Sequence, residues 1–127
     1  MKGEASLVLW AEMEDLVRKA VTRFGIPRRT RLTALRKTYR PKRLGDAGKP
    51  HNVIRLRVHH HGNPARALRP SVVLATLAHE IAHLVPRSYN HGPTHRKRTK
   101  EVAEWLREKG YDVSPRLQRG WFPRKRR

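Results

Sequence analysis

Cysteine is absent from this 127-residue chain. Disulfides and thiolate metal sites are therefore excluded, and any bound transition metal must rely on imidazole and carboxylate. Long apolar runs are missing too. The apolar stretch from Leu7 to Trp10 is followed by Glu12, Glu14 and Asp15. That excludes an ordinary signal peptide or membrane span and makes an intracellular, cytoplasmic protein with no membrane partner the expectation. Acidic residues are scarce, with 10 Asp and Glu against 30 Lys and Arg and a formal net charge of +20. Such an excess attracts polyanions, and nucleic acid, DNA above all, is the usual one. Association with the nucleoid would follow. Arginine outnumbers lysine 21 to 9, which suits bidentate phosphate contact and base stacking. There is no internal repeat, and the length suits one domain with a modest core, expected to be a monomer.

Apolar spacing then orders the elements. Trp10, Met13, Val17, Ala20, Val21 and Phe24 share a stripe that predicts a helix over residues 5 to 24, closed by Gly25 and Pro27. Residues 30 to 39 read as a weaker strand with Leu35 and Tyr39 on one face. A loop with Pro41, Gly45, Gly48 and Pro50 follows. Over 52 to 59, Ile54, Leu56 and Val58 alternate with Arg55, Arg57 and His59, predicting a strand with one buried and one basic face. The two strands are expected to pair as a hairpin. A third helix begins near Thr94 as its cap, turns Val102, Ala103, Trp105 and Leu106 inward, and ends at Gly110. The fold class is thus α+β.

Between strand and last helix lies the segment that carries chemistry. Val72 to Leu84 is apolar with helical spacing, with Ser71 as the expected N-cap and Pro86 as the stop. Within it stands His79-Glu80-Ile81-Ala82-His83, an H-E-x-x-H pattern. Positions i and i+4 share one helix face, so the two imidazoles can meet one metal ion, with the Glu80 carboxylate beside it as a proton acceptor for water. A catalytic zinc usually takes three protein ligands and keeps one place for water. His91, in a turn with Asn90, Gly92 and Pro93, is the first choice for the third; His95 is the second, and Glu101 or Glu104 would complete a two-His-plus-Glu site. His59-His60-His61 reads as solvated surface, because a strand sends adjacent side chains to opposite faces.

These residues resemble a family. Thr76-Leu77-Ala78-His79-Glu80-Ile81-Ala82-His83-Leu84 followed by Asn90-His91-Gly92-Pro93 is similar to the SprT-like zinc metallopeptidases, the zincins that include the Spartan, Wss1 and YgjP-type proteins. The resemblance spans about residues 70 to 106. It implies a minimal zincin-like domain over 1–110: N-terminal helix, small antiparallel sheet, HExxH helix and C-terminal helix, with a basic tail at 111–127. It further implies one Zn²⁺ per chain held by His79, His83 and His91, with Glu80 as catalytic base of a metalloendopeptidase acting on proteins at DNA. Where the family often carries an aromatic residue four positions after the third His, this chain has His95. A zincin strand before the metal helix can pair with an extended substrate, which would put Arg55, Arg57 and His59 along the cleft.

Two other classes use the same residues. A nucleic-acid-binding protein would close the zinc with a fourth ligand, such as His95, and a zinc-dependent nuclease would turn the activated water on a phosphodiester. In the tail, Trp121 and Phe122 sit among Arg116, Arg119, Arg124, Lys125, Arg126 and Arg127. They suit either stacking on single-stranded bases or anchoring on the core.

Overall fold

The structure, a computed structural model, describes residues 2–34, 45–48, 52–57, 59–60, 63–86 and 92–115. In chain order the elements are α1 (Lys2–Phe24), β1 (Arg31–Ala34), β2 (Gly45–Gly48), β3 (Val53–Leu56), β4 (His59–His60), β5 (Asn63–Ala67), α2 (Pro70–Leu84) and α3 (Pro93–Glu108). The architecture is α+β.

α1 forms where its stripe repeats at helical spacing, and Met13, Leu16, Val17 and Ala20 are buried. It stops at Gly25, whose φ of +73° lies in the left-handed region and whose N–H bonds the Val21 carbonyl at 3.1 Å. Both later helices begin on proline. Pro70 and Pro93 take the first helical positions, with Arg69 and Gly92 as caps in place of the expected Ser71 and Thr94. Proline's fixed φ and missing N–H suit that position, so the helix starts on it and the hydroxyl residue falls inside.

The three-stranded sheet has the order β1-β3-β2. β1 runs parallel to β3, with Arg31 opposite Val53 and Ala34 opposite Leu56. β2 runs antiparallel to β3, from Gly45 opposite Leu56 to Gly48 opposite Val53. The expected hairpin between the strands at 30–39 and 52–59 is therefore corrected. Two chain reversals separate them, which returns β3 to the direction of β1, and the antiparallel partner comes from the glycine-rich stretch read as loop. Gly-Asp-Ala-Gly has little strand propensity, but ladder bonds come from the backbone, which any residue supplies. β3 is consequently the middle strand with both edges used, so it is not the strand on which a substrate backbone would add. Leu35, Tyr39 and Val58 lie outside the described residues. β4 and β5 form a separate antiparallel pair.

Ile54 and Leu56 are fully buried and Arg55 is exposed, as alternation requires. Arg57, expected on the basic face, is buried instead; it lies beyond the end of β3, where alternation no longer assigns a face.

α2 packs against α3 and also against β2 and β3. Every residue from Val73 to Ala82 is buried. A helix apolar nearly all round is a core helix, and that is how its polar residues come to be enclosed. α3 buries His95, Thr99, Val102, Ala103, Trp105 and Leu106, and the Trp105 ring meets Phe24 of α1 edge-on at 5.3 Å. After α3, Gly110 turns the chain at φ +96°. Val113 is then buried, and the Ser114 N–H bonds the Ser71 carbonyl at 3.1 Å. Among the described residues no helix is long and apolar enough to cross a membrane.

Candidate metal centre

The last turns of α2 carry His79, Glu80 and His83. His79 and Glu80 are buried and His83 is half-buried. The His79 and His83 rings stand edge to face, with centroids 4.8 Å apart at 84°. Imidazoles bound to one tetrahedral zinc, with metal–nitrogen bonds of about 2.0–2.1 Å, hold their ring centres roughly 5 Å apart. The 4.8 Å spacing is thus compatible with both rings meeting one metal ion, in keeping with the i, i+4 spacing.

A third imidazole arrives from α3. His95 is fully buried, 4.4 Å from His79 and 4.0 Å from His83 between ring centroids. Ligand nitrogens of His79, His83 and His95 all lie within 4.8 Å of one another, so three histidines can hold a metal ion here. His95 Nε2 is 3.0 Å from the His79 carbonyl oxygen. A carbonyl only accepts, so Nε2 carries the hydrogen. Thr99 Oγ1 donates to the His95 carbonyl at 2.9 Å, which seats the first turn of α3.

His91, the first choice for third ligand, lies outside the described residues. Of the carboxylate alternatives, Glu101 pairs with Arg98 at 2.7 Å and Glu104 with Arg107 at 3.1 Å. Both line a surface hollow with Arg23, Lys97 and Lys100, and neither belongs to the histidine cluster. His95 was legible as more than a loop neighbour: residues 95, 99, 102, 103 and 106 follow helical periodicity, which puts its imidazole on the buried face of α3. The side chains of His59, His60 and His61, and the tail from Arg116 with Trp121 and Phe122, lie outside the described residues.

No protein-family model matches the chain, and no curated protein matches it in sequence. Two solved structures are similar in fold. The crystal structure of Wss1 from Saccharomyces cerevisiae superposes with a TM-score of 0.68 at 19% identity, over 86% of this chain and 84% of that one. The crystal structure of a Wss1 mutant from Saccharomyces cerevisiae gives a TM-score of 0.67 at 19% identity, over 94% of this chain and 86% of that one. At that identity the likeness is one of fold: an α+β domain like Wss1, carrying a cluster of three histidines.

Proposed function

We propose that this protein is a zinc-dependent metalloendopeptidase of the SprT-like kind, acting on DNA-associated proteins. One observation carries the reading: His79 and His83 stand at zinc-binding separation on a buried helix, with a buried carboxylate next to the first of them. His79 and His83 supply two ligands, and the resemblance assigns the third to His91. Bound there, zinc would polarise a scissile carbonyl and acidify a water molecule.

Glu80 takes the proton of the attacking water and passes it to the leaving amine. Of the two HExxH imidazoles, His83 is half-buried, and water would reach the ion on its side. Pairing with an extended peptide falls to β1 or β2, since β3 is enclosed between them. The net charge of +20 would hold the enzyme on DNA and so select proteins found there. A monomer in the cytoplasm or on the nucleoid is consistent with this reading.

Metal analysis should find about one zinc per chain, dependent on the folded site. Glu80→Gln should retain that zinc and lose hydrolysis of casein and histone. Unchanged hydrolysis in Glu80→Gln would remove the base from the mechanism.

A second reading, a nucleic-acid-binding protein with a structural zinc, is favoured by His95, which could close the ion with a fourth imidazole. The Co²⁺-substituted protein separates the two: a site with exchangeable solvent changes its visible spectrum on adding azide, and a closed one does not.

A further inference from the structure

We propose that His95 is a positioning residue and not a metal ligand: its Nε2–H tethers the His79 carbonyl and its ring braces the face of His83. The inference rests on the zinc reading above and assigns a role to a residue that reading leaves unused.

The ring geometry decides between ligand and brace. Imidazoles radiating from one tetrahedral ion diverge, with centres roughly 5 Å apart, as the metal–nitrogen length requires. His79 and His83 meet that condition at 4.8 Å. His95 meets it less well: it stands edge to face with His79 at 4.4 Å, but lies 4.0 Å from His83 with only 24° between those two planes. That is face-to-face contact, with the rings side by side rather than converging on a common point.

The hydrogen bond supplies the tether. The Nε2–H of His95 crosses from α3 to the His79 carbonyl on α2, 3.0 Å away. That carbonyl belongs to the residue whose side chain is the first metal ligand. Thr99 holds the His95 backbone one turn on, at 2.9 Å. The result is a path from the body of α3 to the His79 backbone and to the face of the His83 ring. His83 is half-buried, and the stacked His95 ring covers one of its faces. Groups that orient metal-binding imidazoles typically contribute about 10–100-fold in metal affinity.

His95→Leu removes both the N–H and the stacking plane, whereas His95→Gln keeps an N–H at about the reach of Nε2. Three measurements test the proposal on the full chain: metal content, Co²⁺ affinity by competition with a chelator, and the visible Co²⁺ spectrum. His95→Leu should still take one metal, with the wild-type spectrum and about 10–100-fold weaker affinity. His95→Gln should recover part of that loss. A changed spectrum or a metal-free protein in both variants would make His95 a ligand; unchanged affinity in His95→Leu would make it mere filling. Either result overturns the proposal.

Because the leucine variant can fail to fold, the wild type supplies an independent reading. Ring ¹⁵N shifts of the metal-free protein should show His95 as the Nε2–H tautomer, and an Nδ1–H tautomer would break the tether. A wild type that takes up no metal would sink the zinc reading, while the ring ¹⁵N shifts would still report on the tether alone.

Discussion

Tyr111 donates its hydroxyl hydrogen to a carboxylate oxygen of Glu12 at 2.6 Å, joining the segment after α3 to α1 across 99 sequence positions. The hydrogen bond to Glu12 pushes the Tyr111 phenol from its usual 10.0 up to about 12, with burial and the charges of Glu12 and Asp15 adding to it. A raised pKa means the neutral form is the one the fold favours. The contribution is therefore fully present below pH 10 and is lost as the pH climbs through about 12. Tyr111→Phe should lower stability by about 1 kcal/mol near neutrality, a modest value because the pair is only partly buried. Urea unfolding of both proteins should show the gap closing between pH 10 and 12; a gap constant with pH would contradict the assignment.

Zinc should stabilise the fold it binds. At a free concentration of about 100 times Kd the gain is about 2.7 kcal/mol, seen as a rise of several degrees in Tm. His79→Ala should abolish both the bound metal and the rise. A variant that melts like wild type with and without zinc would place the ion elsewhere.

Leu106 is fully buried on α3, which packs against α2. Leu106→Ala should cost about 2–5 kcal/mol, from lost burial and the cavity left behind. Since α3 also carries His95, metal affinity should fall in the same variant. Chemical denaturation and chelator competition read the two effects separately.

Gly110 sits at φ +96°, and among the described residues no heavy atom other than those of its chain neighbours comes within 4 Å of where a Cβ would stand. Gly110→Ala therefore meets no clash, and its cost is the backbone's alone, about 1 kcal/mol or somewhat more. A neutral result in thermal unfolding would mean that the turn after α3 relaxes to another conformation.

Binding to DNA, if it follows from charge, must depend on salt. With 6 to 10 phosphate contacts, affinity should drop by about 10³–10⁵ between 50 and 200 mM salt. Fluorescence anisotropy with a labelled oligonucleotide measures the slope. A flat dependence would remove the polyanion partner.

The helices are legible in the sequence because their signal is local. Residues 10, 13, 17, 20 and 24 mark one face of α1, and His79 and His83 share a face because 3.6 residues complete a turn. No neighbour is needed to establish either fact. The order of strands is different. β2 is Gly-Asp-Ala-Gly, and nothing in its side chains names β3 as partner. The ladder is made of backbone groups that every residue shares, so direction and neighbour depend on how the whole chain closes.

The sequence alone determined the α+β class, the absence of thiolate chemistry, the basic charge and the pairing of two imidazoles with a carboxylate on one helix. Each follows from composition or from spacing within a few turns. Tertiary structure decided that β1 and β3 run parallel, that Arg57 is buried, and that a ring from α3 lies flat against His83. Those outcomes depend on contacts between distant segments, whose geometry is set by packing rather than by any local period.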